Sequence, residues 1–233
     1  MSVTIEIQEL TKVKKKAIIL ENISLQLNSG KIYAFQGING SGKSMLFRAI
    51  SGLLIPTSGT IKINNQELHK ELSFPQNIGV VIEMPEFLPQ YTGFKNLKIL
   101  SEIKKVIGEN EINDALKLVG LDPADKRKYR KYSLGMKQRL SIAQAIMEKP
   151  DILILDEPTN ALDEQSVQKL ITFLKEYREQ DKLICISSHD QEFLKEICDE
   201  LITLENGKVI KHQIIKNDST NTHIENKKES LTY

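Results

Sequence analysis

The sequence predicts an α/β fold: a core with a parallel sheet, an N-terminal antiparallel β subdomain and an inserted α-helical subdomain. Three observations predict it. Ile152 to Leu155 and Leu183 to Ile186 are short, wholly apolar runs, the pattern of strands buried on both faces. A helix-compatible face of Val167, Leu170, Ile171 and Leu174 lies between them, so the connection is a crossover and the strands are parallel. From about 84 to 147 the period changes to helical, with Ile112, Ala115, Leu116 and Val119 on one face and Met136, Leu140, Ala143 and Met147 on another.

Taken in order, the chain opens with alternation. Val3, Ile5 and Ile7 alternate with polar residues, and so do Ile23, Leu25 and Leu27 before a turn at Asn28-Ser29-Gly30. Ile32 to Phe35 is the next buried strand. It runs into Gly37-Ile38-Asn39-Gly40-Ser41-Gly42-Lys43-Ser44, and a helix-compatible run follows to Ser51 with Gly52 at its C-terminal end. Strand, G-x-x-x-x-G-K-S and helix together describe a phosphate-binding loop. Its glycines let successive N–H groups converge on one anion, and the helix N-terminus adds positive potential. In this reading the loop residues Gly37, Asn39, Gly40, Ser41, Gly42, Lys43, Ser44 and Met45 bind the nucleotide, Lys43 reaches the β- and γ-phosphates, and the Ser44 hydroxyl binds Mg²⁺. The fold is thus a P-loop NTPase core.

The remaining elements follow. Pro56 to Gly59 is a turn before a strand face of Ile61 and Ile63, and Gly79 to Ile82 is a compact buried strand. After Pro150 the apolar run Ile152–Leu155 ends in Asp156-Glu157-Pro158. Ligands of open α/β sheets bind beyond the carboxyl ends of strands. Asp156 is therefore placed for Mg²⁺ and Glu157 to polarise water. His189 follows the strand Leu183–Ser187 and reaches the same edge, within range of the γ-phosphate. Glu205-Asn206-Gly207-Lys208 is a hairpin turn, and from about Asn217 the chain is polar and expected to fray.

Composition narrows the function. The 233 residues are 40% hydrophobic, enough for one large domain, and 32 Lys and Arg stand against 31 Asp and Glu, a balance that implies no nucleic-acid partner. The basic run Lys126 to Lys131 reads as a solvated loop. No apolar run is long enough to cross a bilayer, and Met1 to Glu6 lacks the form of a signal peptide, so a cytosolic location is expected. Cys185 and Cys198, the only cysteines, read as reduced structural thiols.

The order of motifs resembles the ATP-binding subunit of ABC transporters over about residues 2 to 212. Tyr132-Ser133-Leu134-Gly135-Met136-Lys137-Gln138-Arg139 is similar to that family's signature, Ala161-Leu162-Asp163 to its D-loop, and His189 to its switch histidine. The resemblance implies an ATP-binding domain over 1–216, with a helical subdomain at about 84–147 and a tail at 217–233. It implies ATP and Mg²⁺ as ligands, a head-to-tail dimer with a second ATP-binding subunit, and a separate transmembrane permease that holds the protein at the cytoplasmic face of the membrane. Ser133 and Gly135 would contact ATP held by the other subunit, Asp163 would join the nucleotide-binding set, and Glu157 and His189 would be catalytic.

The sequence departs from the family pattern at four places: Met45 after Ser44, Leu134 and Met136 in the signature, Val13 and Lys14 where an aromatic usually stacks on adenine, and Glu83 in place of a glutamine. Glu83 is expected at the metal edge of the site, or else as the cap of a helix starting near Met84-Pro85. With the Tyr-Ser-Leu-Gly-Met signature it resembles the ATPases of bacitracin-type resistance and lantibiotic self-immunity. A soluble ATPase of the same family, for example in cluster assembly, is the alternative. A groove near Phe87, Leu88, Tyr91 and Phe94 is expected to receive a helix of the membrane subunit, unless those residues pack inside the lobe.

Overall fold

The computed structural model describes residues 2–83 and 86–215. The polar tail expected at 217–233, and the helix start near Met84-Pro85, lie outside these residues.

Strands β1 (Thr4–Lys14) and β2 (Ala17–Asn28) form a long hairpin, and β4 (Ser58–Ile63) and β5 (Gln66–Glu67) complete a four-stranded antiparallel sheet in the order β2-β1-β4-β5. The second sheet has six strands. It contains β3 (Lys31–Gln36), β6 (Ile78–Val81), β7 (Ile152–Asp156), β8 (Leu183–Ser187), β9 (Glu200–Glu205) and β10 (Lys208–Ile214), ordered β10-β9-β3-β8-β7-β6. All neighbours are parallel except the β9–β10 hairpin, closed by Asn206 and Gly207 at positive φ. Two residues at positive φ match the right-handed twist of the strands they join.

Two-faced burial of the parallel strands divides the core. On β7, Leu153 and Leu155 face a cluster with Ile184, Ile186 and the helices α3 (Glu109–Leu118), α4 (Leu134–Ile146), α5 (Glu164–Arg178) and α6 (Gln191–Ile197). Ile152 and Ile154 face a second cluster with Ile5, Ile7, Leu10 and helix α1 (Lys43–Ile50), which seals the antiparallel sheet onto the core. Phe35 of β3 meets Phe47 of α1 edge-on, centroids 5.1 Å apart, and this contact fixes the strand–loop–helix unit that carries the phosphate loop. Cys185 and Cys198 are both buried, and burial pushes both thiols up, away from reactivity at neutral pH.

The helices between β6 and β7 are α2 (Gly93–Lys104), α3 and α4. Helix α4 is not confined to an outer lobe. It runs back onto the sheet so closely that a Cβ on Gly79 of β6 would stand 2.0 Å from the Ala145 carbonyl oxygen and 2.8 Å from Pro150 Cγ. Backbone cannot yield as a flexible side chain does. Gly79→Ala is therefore expected to cost about 3 kcal/mol and to lower the melting temperature by roughly 6–12 °C in a domain of this size. Thermal unfolding followed by circular dichroism checks this, and an unchanged melting temperature would refute the close approach.

A phosphate cleft and its partners

The phosphate loop turns between β3 and α1. Gly37 has φ 151°, and a Cβ there would stand 2.3 Å from the Leu204 carbonyl oxygen and 2.6 Å from Ser41 Oγ. Gly42, with φ 110°, is the N-cap of α1 and offers it no side-chain cap. Among the described residues no side chain or turn carbonyl serves the N–H groups of Lys43, Ser44 and Met45, so the first turn of α1 presents open donors. Lys43 is 7% exposed, and its Nζ donates to the carbonyls of Gly37 at 2.7 Å and Ile38 at 3.3 Å, across the loop. Ser41 Oγ is buried without a hydrogen-bond partner.

Facing the loop are the ends of β7 and β8. Asp156 Oδ2 accepts from Ser44 Oγ at 2.5 Å, and Asp156 Oδ1 accepts from Ser187 Oγ at 2.5 Å. The carboxylate is thus gripped on both oxygens, with one of them beside the hydroxyl. Such a pair of hard oxygens at one point suits a small divalent cation. Glu157 follows at φ +51°, a conformation that costs a non-glycine residue strain and bends the chain sharply off the strand. Its N–H donates to Ser187 O at 3.2 Å and Ser187 Oγ at 3.0 Å. Its Oε2 accepts from the His189 N–H at 3.1 Å. Its Oε1 stands 3.1 Å from His189 Nε2, outside hydrogen-bond alignment, and is buried without a hydrogen bond. A buried carboxylate oxygen with a free lone pair is the acceptor that a water molecule would use.

These groups enclose a cleft of about 290 Å³ lined by residues 39–45, Asp156, Glu157, His189 and Ile19. The open helix turn, the orphaned Ser41 hydroxyl, the poised lysine and the Ser44–Asp156 oxygen pair all fit a nucleoside triphosphate with Mg²⁺.

Four of the residues singled out in the sequence lie elsewhere. Ser133 is the N-cap of α4, its Oγ accepting from Met136 N at 3.2 Å. Gly135, in the first turn, is pressed against the D-loop: a Cβ there would stand 2.6 Å from Ala161 O. Asp163 caps α5, accepting from Ser166 N at 2.8 Å, and hydrogen bonding to the Ser166 side chain and backbone holds its carboxyl below the usual range. None of the three lines the cleft. Glu83 is absent from it too. At φ +62° the chain swings its carboxylate outward to Arg48 Nη2 at 2.9 Å, with 72% of the side chain exposed. The expected placement of Glu83 at the metal edge is therefore not met, because the turn after β6 points the wrong way. The alternative, a cap on a helix starting near Met84-Pro85, falls on residues outside those described.

Three residues make site contacts that the sequence reading did not assign. Ser187 anchors both acidic residues, and only its place at the end of an apolar strand next to Asp156 hints at that. Gln138 is buried and donates from Nε2 to Pro158 O at 3.2 Å, tying the signature helix to the turn after Glu157. Ile19 enters the cleft from β2 at an irregularity of the strand.

Comparison with known proteins matches this geometry. The family profile described as ABC transporter matches residues 20–160. The chain is 49% identical over 88% of its length, and 94% of the relative's, to the uncharacterised ABC transporter ATP-binding protein YybJ of Bacillus subtilis. It is 36% identical to the lantibiotic transport ATP-binding protein SrtF of Streptococcus pyogenes, covering 88% of this chain and 89% of that one. It is 34% identical to the bacitracin transport ATP-binding protein BcrA of Enterococcus faecalis, covering 90% and 69%. Among solved structures, the dimeric bacterial ABC transporter cassette MJ0796 superposes with a TM-score of 0.82 at 26% identity, over 91% of this chain and 99% of that one. The phosphate loop, the paired carboxylates, the signature helix and these relatives agree: the chain belongs to the ABC transporter family, as an ATP-binding subunit that hydrolyses ATP.

Proposed function

We propose that the chain is one of two ATPase subunits that power export by a separate membrane-spanning partner, with a peptide antibiotic or drug as cargo. One observation carries the dimer. The cleft gathers the loop, Asp156, Glu157 and His189, while Ser133 and Gly135, themselves an anion-binding helix N-terminus, sit outside it. Ser133 Oγ accepts within its own helix through one lone pair, so its proton remains free for a phosphate oxygen on a second subunit. The names of BcrA and SrtF support the cargo class.

In this reading Lys43 and the first turn of α1 hold the phosphates, and Ser44 with Asp156 holds Mg²⁺, which neutralises phosphate charge when bound. Ser187 keeps Asp156 and the Glu157 backbone in place. Glu157 accepts the proton of the attacking water through Oε1. His189 steadies Glu157 through its N–H and keeps its half-exposed ring at the mouth of the cleft.

Of Phe87, Leu88, Tyr91 and Phe94, expected to form a docking surface unless they pack inside the lobe, two pack inside. Phe87 is buried against Tyr129, edge to face at 5.3 Å, and Phe94 packs on the core, so only Leu88 and Tyr91 remain exposed. The groove between the core and α2 is instead lined by Leu53, Phe74, Leu100 and Ile103, of which Leu53, Phe74 and Ile103 are 59%, 56% and 77% exposed. Apolar side chains that exposed mark a surface for a partner. Among the described residues no helix is long and apolar enough to cross a membrane, so the partner supplies the span. Ile103→Asp and Phe74→Asp are expected to lower drug resistance by about tenfold or more, since a charge buried in an apolar contact costs several kcal/mol, with ATPase activity of the isolated protein unchanged. Full resistance in both variants would overturn the docking surface. A family ATPase not coupled to transport would co-purify with no membrane protein.

A further inference from the structure

Another cavity shares no residue with the phosphate cleft. It measures about 190 Å³ and opens where α3 of the inserted subdomain meets the C-terminal ends of α4 and α5. Its floor is apolar. Ala115, Ile146, Met147 and Tyr177 are buried, Phe173 is half-buried, and Leu118 is 38% exposed. The Phe173 and Tyr177 rings lie 5.0 Å apart, tilted by 32°. The Tyr177 hydroxyl donates to Pro150 O at 2.6 Å, so its ring is the part left to meet a ligand. An apolar cavity of about 150 Å³ takes a benzene ring. This one has room for one ring and a short arm, and falls short of the ~300 Å³ that a drug-sized molecule needs.

The rim is acidic. Glu111 and Asp114 of α3 and Glu176 of α5 line the cavity, and among the described residues Lys149 is the one cation of the lining. Glu111 and Asp114 are three apart on the helix, where like charges are neighbours and repel. Hydrogen bonds from its own N–H and from that of Gly108 hold the Glu111 carboxyl below the usual range, so it is ionised at neutral pH, and Lys149 balances it. Asp114 and Glu176 have no side-chain hydrogen bond or ion pair among the described residues. The cations on and beyond the end of α5 are engaged elsewhere. Lys175 pairs with Glu196 at 3.1 Å, Arg178 with Asp199 at 3.0 Å, and Lys182, which stands over the Tyr177 ring, with Asp151 at 2.7 Å. Two helices also end at the cavity. Ile146 is the last residue of α4 and Met147 its cap, and Tyr177 is one residue from the end of α5, so two negative helix ends border it. Carboxylates, carbonyl ends and aromatic faces all attract a cation, while the floor attracts hydrocarbon.

We propose that this cavity is a binding site for a small amphiphilic ammonium compound, one ring on a short chain that ends in a charged amine. The ring enters between Phe173 and Leu118, and the amine meets Asp114 and Glu176. Such a ligand bridges α3 of the inserted subdomain to α5 of the core. The site stands apart from the nucleotide chemistry and does not rest on it.

The test is isothermal titration calorimetry of the purified full-length protein with phenethylammonium, its neutral counterpart phenylethanol and its anionic counterpart phenylacetate. Phenethylammonium is expected to bind one site with a dissociation constant of about 1 mM or tighter, the scale of a fragment-sized ligand. It should bind at least about fivefold more tightly than phenylethanol, the gain from two partly exposed charge pairs. Phenylacetate should not bind. The Asp114→Asn/Glu176→Gln double variant keeps side-chain size at exposed, unpaired positions, so it folds. In it the preference for ammonium over phenylethanol should fall to within about twofold. Leu118→Trp fills the mouth of the cavity and should weaken both ligands by about tenfold or more. No saturable binding of phenethylammonium up to ~10 mM, equal affinity for phenylethanol, a preference that survives the double variant, or binding untouched by Leu118→Trp would overturn the inference.

Discussion

Glu157→Gln is expected to bind ATP with wild-type affinity and to hydrolyse it about 10²- to 10⁴-fold more slowly, the range lost with a general base. The substitution keeps volume, so the strained φ of +51° and the bonds from Glu157 N to Ser187 survive. An amide oxygen can still accept from the His189 N–H, as Oε2 does now. What disappears is the ability of the buried Oε1, which carries no hydrogen bond, to take a proton. Nothing in the substitution touches Lys43 or the first turn of α1, which hold the phosphates, so affinity stays. Phosphate release and equilibrium dialysis on the same preparation check the two halves. Activity near wild type would remove Glu157 from its role as base.

Ser133→Arg is expected to abolish ATP-dependent dimerisation, and with it turnover by about 100-fold or more, the scale of losing a preorganised anion site. Ser133 lies at the N-terminus of α4 and outside its own cleft, so ATP affinity of the monomer should change little. Loss of the cap on Met136 N costs about 1 kcal/mol, small against the 5–15 kcal/mol that holds a domain together. The variant therefore folds, and its defect is one of assembly. Collapse of monomer ATP affinity would place the signature in the same subunit's site instead.

Most of the architecture was legible because burial imposes a period. Ile152–Leu155 and Leu183–Ile186 are apolar throughout since both faces of β7 and β8 are covered, one by α1 and the antiparallel sheet, the other by α4, α5 and α6. The phosphate loop and the Asp156–Glu157 pair were legible because their chemistry demands residue types at strand ends. What the sequence hid depends on backbone direction. Glu83 follows a strand end just as Glu157 does, and both sit at positive φ. One turn aims its carboxylate into the cleft beside His189, the other out to Arg48, and residue type does not distinguish them. Phe87 lies in a loop, where the sequence leaves both a docking surface and packing inside the lobe open, and Tyr129 covers it. Ile19 is one apolar residue in an alternating strand, and only the register shift shows that it turns into the cleft. Gly79 looked like part of an apolar run, whereas its lack of a side chain is what admits the backbone of α4.

We propose that the catalytic site is built from two copies of the chain, with the loop and Glu157 of one closing on Ser133 and Gly135 of the other. Sedimentation velocity of Glu157→Gln with Mg²⁺ and ATP tests it most directly, with the Glu157→Gln/Ser133→Arg double variant run in parallel. The account predicts a dimer with ATP for the single variant, a monomer without nucleotide, and a monomer under both conditions for the double variant. A single variant that binds ATP yet stays monomeric, or a double variant that dimerises as readily as the single, would contradict it.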